Sequence, residues 1–521
     1  MKIREILIVG GGSSGWMTAA SLSRVLKGYN ISLVESDKIS TVGVGESTII
    51  LFNQILQLLD LKDSDWMKEC KATYKNTIKF TDFKKKGHTF HYPFGGDRGH
   101  EVIQAWSNLA SSYGLESESY AEFCGSHNYF LGKHNRQTYG NHQMLDFDFN
   151  SQTAYHFDAG LFGEYLKNNR CQDVTHYLDD IVGVKKDDDG WITSIVGEKQ
   201  EYTADLYIDC TGFQSQILEK EMGSKMKSYK PWLSNDSAIA THIPYTHKEE
   251  QCTNATTCTA IENGWCWNIP LWDSIGCGYV YSSDFVDDET ADKEFRRYLK
   301  RIGCMFPKKV ETKKINIRHG VRERSWVKNV VGVGLSYGFV EPLESTSIVS
   351  TIVTIQMLTQ ALDLKDCVVN AFDRDGYNYS VEIEMTNHRD FVALHYKLTS
   401  RDDTPYWKYQ QSRDWFAIDD SNFFKNYKQE GVALTGYEKM HYYHSTQNQW
   451  FCKGEGDGKY YIMAGFGYKP MGSGWIQADD KMKDLHRKFS QDVNQAEKYV
   501  KTLQSSYEFL KEHIYGLTDQ Q

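Results

Sequence analysis

The sequence predicts an α/β protein that begins with a Rossmann-like dinucleotide-binding module, and three observations carry that reading. Residues 3–9 (IREILIV) are a short apolar run of the length of a buried strand. Gly10-Gly-Gly12-Ser13-Ser14-Gly15 follows at once, and residues 16–27 read as a helix. Residues 30–35 (NISLVE) read as a second strand that closes on Glu35, 20 residues after Gly15. A G-x-G-x-x-G between strand and helix, with an acid at that distance, is the context a dinucleotide demands. The glycines let backbone approach a pyrophosphate, the helix N-terminus favours its charge, and Glu35 can accept from ribose hydroxyls. A turn of purely structural use needs neither the flanking pattern nor the acid.

Composition bounds the rest. The chain has 521 residues, enough for two to four ordinary domains or two large ones. A net charge of −10 argues against nucleic acid or an anionic membrane as the main partner. Only 8 prolines leave few stiff linkers, so interleaved domains are expected. Aromatics reach 14%, which predicts large buried faces and an aromatic pocket. The 11 cysteines contain no C-x-x-C, which fits reduced thiols and a cytoplasmic protein without a metal centre. No run of about 20 apolar residues is present, so no membrane span is expected.

Farther along, Thr41-Val-Gly-Val-Gly45-Glu46-Ser47 is a second glycine-rich loop soon after the acid. It would bring backbone to the far end of a long cofactor. Ala204-Asp-Leu-Tyr-Ile-Asp209-Cys-Thr-Gly212 reads as a strand ending in an acid and a glycine turn. That is the second contact to FAD in flavoprotein monooxygenase-like folds, whose nucleotide-binding domain is split by an insertion. A second strand-associated G-x-G-x-x-G for a nicotinamide is missing, which predicts one flavin site. Lys185–Gly190 reads as a hairpin turn. Helical patterns return at 349–364, 371–392 and 480–514. The expected organisation is an interleaved FAD module with a β-rich insert over 1–380, then a mainly helical, aromatic-rich substrate part over 381–521.

Residues 264–270, Gly-Trp265-Cys-Trp267-Asn-Ile-Pro270, spell W-x-W-x-I-P. With the G-x-G-x-x-G, this resembles the flavin-dependent halogenases of the tryptophan-halogenase type. The likeness extends through Gly43–Ser47, Asn76–Phe80, Tyr155–Ala159, Asp205–Gly212, Gly278–Ser283, Gly334–Thr346 and Arg401–Trp407. The resemblance implies that reduced FAD and oxygen, the flavin coming from a separate reductase, convert a halide to hypohalous acid. The acid then reaches a lysine beside an electron-rich aromatic substrate, an indole or a phenol. Homo-oligomeric assembly is compatible with it.

Carried over residue by residue, the resemblance implies Lys79 as the catalytic lysine. By itself a lysine is usually solvated surface. Lys79, however, sits in the apolar-leaning Thr77-Ile-Lys79-Phe80, unlike the run Lys84-Lys85-Lys86. Two routes fit it: hydrogen bonding to hypohalous acid, or a haloamine after loss of a proton. Glu344 corresponds to the active-site glutamate, and Glu341 reads as structural. Thr346 and Ser347 occupy the halide turn, usually Thr-Gly in the family. Serine there predicts a costly backbone conformation and a preference shifted to bromide or iodide; a purely local adjustment is the plain alternative. Leu335, Gly338 and Ile348 are expected to line the flavin. Trp265 and Trp267, alternating on one strand face, form a barrier between flavin and substrate, or simply core.

On the substrate side the readings are His91, Tyr443, Trp450 and Phe451. No acid for a tryptophan ammonium falls among 442–451, with Glu455 and Asp457 the nearest. Free tryptophan is therefore one candidate beside other indoles and phenols. Two competing readings are an FAD-dependent aromatic monooxygenase and a flavin-binding protein without halogenating activity.

Overall fold

The computed structural model describes residues 1–38, 45–95, 147–364, 366–413, 458–467 and 480–517, and most of 106–140. The chain forms two units, each drawn from three stretches of sequence. The first holds Met1–Ala72, Phe157–Leu233 and Ile317–Arg389; the second holds Thr73–His156, Ser234–Asn316 and Asp390–Gln521.

The first unit is built on a six-stranded sheet. Its strand order is Trp326–Val327, Val330–Gly332, Leu206–Asp209, Glu5–Val9, Asn30–Glu35 and Thr175–Leu178. All neighbours are parallel except the first pair. Val9 stands beside both Val34 and Asp209, so the apolar run of residues 5–9 is buried from two sides, as parallel strands require. The first helix, Ser13–Val25, packs beside Ala159–Arg170, where a Cβ at Gly163 would already touch Ser13. The predicted hairpin is present, with Ile181–Lys186 antiparallel to Ile192–Gly197. Thr346–Asp363 is an 18-residue helix whose inner face is Ile348, Val349, Ile352, Ile355 and Leu358.

The second unit carries a seven-stranded sheet. Its order is Lys313–Asn316, Ser237–Ile243, Ile275–Tyr281, Gly264–Pro270, Ala255–Ala260, Thr77–Thr81 and Thr89–Pro93. Helix Asp288–Arg301 covers one face, its Phe295, Tyr298 and Leu299 joining Cys266, Cys277 and Tyr279 in one core cluster. Asp287 caps that helix by accepting from the Thr290 N–H, 2.8 Å. Outside that sheet, Thr73–Lys75 pairs antiparallel with the strand Ala154–Phe157. The amphipathic stretch predicted at 480–514 is two helices, Asp480–Val500 and Ser506–His513. The second is opened by a Ser505/Glu508 capping box.

Among the described residues, ten cysteines are free and buried, no cluster of metal-ligating side chains occurs, and no helix is long and apolar enough to cross a membrane.

Candidate functional site

In the first unit the glycine-rich turn lies at the carboxyl end of the central strand. Gly10 has φ 110°, and a Cβ there would fall 2.7 Å from the carbonyl carbon of Cys210. A Cβ at Gly15 would fall 3.0 Å from the Gly10 carbonyl carbon. Gly12 is the N-cap of the first helix without a side-chain cap, and Ser13, Ser14 and Gly15 form its first turn. The backbone N–H groups of that turn have no partner within the helix, as suits an anion.

Glu35 ends the neighbouring strand. One of its oxygens lies 3.1 Å from the Lys167 ammonium and 2.8 Å from His176 Nε2. Its Cβ lies 2.6 Å from where a Gly11 Cβ would stand. The acid is thus held against the glycine turn. Asp209 is fully buried and its carboxylate is used locally. It accepts from the N–H groups of Thr211, Ile217 and Leu218 (2.9, 2.9 and 2.8 Å) and from the Thr211 hydroxyl, 2.6 Å. Asp209 therefore shapes the turn after its strand.

Gly45 has φ 74°, and Glu46–Ser47 form a short strand. Burial, and secondarily the Asp158 carboxylate, push the Glu46 carboxyl up to about 7. The folded chain therefore holds this proton to higher pH than the unfolded chain does. Stability from this group is full below about 4.5 and is lost as pH rises through about 7. Glu46→Gln should accordingly gain melting temperature relative to the parent across that window. Parallel thermal scans at several pH values check this, and a difference independent of pH would contradict it.

Leu335 is half-buried in the Gly334–Ser336 turn. Gly338 is buried, and a Cβ there would meet the Gly320 carbonyl oxygen at 2.9 Å. Glu344 is 2% exposed and closes the Pro342–Glu344 turn. Thr346 and Ser347 are the first residues of the long helix, and Ile348, 4% exposed, follows them. Two orphan helix donors and the positive end of an 18-residue helix thus fall where a halide was expected. One expectation is corrected. The left-handed residue is Ser345 (φ 59°), not Ser347, which lies in the helix and needs no glycine. The Ser345 hydroxyl reaches the Ser47 hydroxyl, 3.1 Å, tying this turn to the Gly45–Ser47 segment.

In the second unit, Trp265 and Trp267 share one face of the Gly264–Pro270 strand, ring centroids 6.2 Å apart. Gly278 stands opposite Trp267 and leaves it room, since a Cβ there would lie 2.6 Å from the indole Cε2. The register places Phe80, Cys258, Trp267 and Gly278 in one row, and Lys79, Thr257, Asn268 and Cys277 in the next. Lys79 is therefore on the face opposite the tryptophans. It is half-buried and pairs across the ladder with His91. Burial first, then the Lys79 and Lys133 charges, lower His91 to about 3, so this imidazole is neutral. Its ring meets Tyr129 edge-on at 5.6 Å.

The lysine that burial singles out is Lys75, 0% exposed, with its ammonium 4.8 Å from the centre of the Phe94 ring. Its strand is fixed from three sides. Thr73 donates to the Pro270 carbonyl, 2.6 Å, at the end of W-x-W-x-I-P. The Thr73 hydroxyl also lies 3.1 Å from His156 Nδ1, and His156 Nε2 lies 2.8 Å from the Thr256 hydroxyl. Thr256 projects from the tryptophan face, two residues before Cys258 on its strand. Asn76, next in the chain, donates to Gln137, 2.8 Å, and accepts from Asn128, 3.0 Å. Burial, then the Lys75 charge, hold His156 far below its ordinary value and keep it neutral. Sequence reasoning passed over Lys75 because two lysines four residues apart look alike in one dimension. Tyr443, Trp450 and Phe451 lie outside the described residues.

The glycine turn, the strand-end acid and the parallel sheet define a dinucleotide-binding protein of the flavoprotein type. The sequence model of the family described as tryptophan halogenase matches residues 5–470. The chain is 35% identical over 434 residues to the tryptophan 6-halogenase SttH of Streptomyces toxytricini, covering 78% of this chain and 81% of that protein. It is 32% identical over 428 residues to the tryptophan 7-halogenase RebH of Lentzea aerocolonigenes, covering 78% of each. Among solved structures, the VirX1 apo structure superposes with a TM-score of 0.88 at 39% identity, over 99% of this chain and 100% of that one. The crystal structure of SttH gives 0.78 at 31% identity, over 97% and 99%. The chain belongs to the tryptophan halogenase family, and it is an enzyme of that class.

Membership implies FAD and a halide, and the residues fit both. The places where side chains at Gly10 and Gly15 would stand are taken by backbone, and the first turns of two helices offer unshared N–H donors.

Proposed function

We propose that the protein halogenates an electron-rich aromatic, an indole or a phenol, using reduced FAD from a separate reductase. The observation that supports this most is Lys75, a fully buried ammonium on a short strand whose Thr73 is hydrogen-bonded to Pro270 at the end of W-x-W-x-I-P. Gly10, Gly12, Ser13, Ser14, Gly15 and Glu35 would hold the nucleotide, and Gly45, Glu46, Ser47, Leu335, Gly338 and Ile348 the flavin end. With oxygen, bound reduced flavin supplies the oxidising equivalent that converts halide to hypohalous acid. The N–H groups of Thr346 and Ser347 would hold the halide. A buried ammonium donates hydrogen bonds to hypohalous acid at full strength, because no water competes. In this reading Lys75 takes the carrier role and Lys79 sits beside His91 on the other face. Glu344 accepts the ring proton or stabilises the cationic intermediate. Trp265 and Trp267 screen the substrate from the flavin.

Incubation with FAD, a flavin reductase, NADH, bromide and a panel of indoles and phenols should give halogenated mass. A hydroxylated product would instead support the monooxygenase reading, and flavin binding without either product the inactive one.

The same proposal includes a preference for bromide or iodide over chloride. It rests on the extra Cβ and hydroxyl of Ser347 beside the halide donors, and on the smaller hydration cost of larger halides. Competition among the three halides should shift toward chloride in Ser347→Gly, by about threefold or more, equivalent to ~0.7 kcal/mol. An unchanged ratio would end this part of the reading.

A further inference from the structure

The first turn of the Thr346–Asp363 helix is braced from behind by groups that the halogenation chemistry leaves unused. Ser350, one turn on, donates its hydroxyl to the Thr346 carbonyl, 2.8 Å. Its one proton is thereby committed, so its oxygen accepts from His388 Nδ1, 3.1 Å away. His388 thus carries its proton on Nδ1. Burial lowers it to about 3, so the ring is neutral. Glu384, one turn before His388 on the helix Ala371–Lys397, places Oε1 3.9 Å from His388 Nε2 and is 4% exposed. Burial pushes that carboxyl up to about 8, so at neutral pH it keeps its proton and is uncharged as well. Tyr337 completes the surround by donating to the Ser350 carbonyl, 3.4 Å.

The Thr346 carbonyl and the Ser347 N–H belong to one planar peptide and point in opposite directions. A hydroxyl that pins the carbonyl therefore pins the direction of the N–H. We propose that Ser350 and His388 are positioning residues for the halide, aiming the Ser347 N–H out of the helix end. The proposal rests on the halide reading above.

The test is steady-state halogenation with bromide and chloride varied separately, alongside FAD titration by flavin fluorescence. Ser350→Ala and His388→Leu should each raise the halide KM about tenfold. The KM for the aromatic and the FAD affinity should stay within about twofold of the parent. His388→Asn, which keeps an N–H facing Ser350, should recover the halide KM to within about threefold. Ser347→Pro removes the proposed donor at a helix position that tolerates proline, and should raise the halide KM at least as far. A parental halide KM in Ser347→Pro overturns the halide reading and this proposal with it. A raised KM there, with parental values in Ser350→Ala and His388→Leu, overturns this proposal alone. FAD affinity and halide KM worsening together in both variants would overturn it as well, by reducing the pair to general packing.

Discussion

Lys75→Ala should lower halogenation by at least about 10²-fold while FAD binding and oxygen consumption continue; Lys79→Ala should keep most of the activity. The two residues lie on consecutive strand segments, and their environments differ in kind. Lys75 has no exposed surface, stands over an aromatic ring, and belongs to a strand hydrogen-bonded to Pro270. Lys79 is half-buried on the sheet face away from Trp265 and Trp267, beside a neutral histidine. A group that acts on hypohalous acid is most effective where water is excluded, which is the Lys75 environment. Lys75→Met is the companion variant. It keeps the volume of the side chain while removing the ammonium, and it should be equally inactive. Halogenated product and NADH-driven oxygen uptake, measured on the same samples, separate the chemistry from the flavin step. Full activity in Lys75→Met, with loss in Lys79→Ala, would falsify the assignment and restore Lys79.

Gly10→Ala should abolish measurable FAD binding, a loss of about 10²-fold or more, because two costs coincide. Its φ of 110° is a region that side chains rarely adopt, and the new Cβ would press on backbone at Cys210 that has no soft end to move. The strand that leads into Cys210 cannot retreat, since Asp209 is registered to Val9 and its carboxylate holds three N–H groups of the following turn. Gly28→Ala is the control. That residue also has a positive φ, 81°, but open space around it, so only strain of about 1–2 kcal/mol is expected, with FAD binding intact. Fluorescence titration of FAD and thermal melting on both variants distinguish a lost cradle from general weakening. Equal FAD affinity in the two would show that the close approach at Gly10 is unimportant.

The parts of the fold legible in the sequence were those written in consecutive residues. The strand at 5–9, the first helix, the acid at 35, the hairpin near Gly190 and the Trp265/Trp267 alternation each follow from local period and turn chemistry. What escaped depends on pairing between distant strands. Whether Lys75 or Lys79 is buried cannot be read from Tyr74-Lys75-Asn-Thr-Ile-Lys79-Phe80. Both lie in apolar-leaning segments, and the difference comes from partners at 154–156 in one case and at 255–259 and 89–93 in the other. The Thr-Ser turn misled for a related reason. A family habit of glycine suggested a strained position, whereas the chain takes its left-handed step two residues earlier, at Ser345, where the Ser47 hydroxyl helps to hold it. The brace of Ser350 and His388 was invisible because its members are 38 residues apart and neither belongs to a recognisable motif.

The interleaving of the two units has a consequence for how the chain is made. The strand Glu5–Val9 finds one neighbour, Asn30–Glu35, almost at once, but its other neighbour, Leu206–Asp209, follows some 200 residues later, the separation at which Glu5 N–H meets the Asp205 carboxylate. At about 5–20 residues per second, that strand edge waits roughly 10–40 s for its neighbour. The segment Glu5–Val9 is apolar and β-prone, so this interval is when aggregation competes with folding. Slower synthesis prolongs it, and chaperone binding to the nascent chain shields it. Recovery of folded, unaggregated protein from a heterologous host should therefore respond to growth temperature and chaperone supply more than to any change at the catalytic residues.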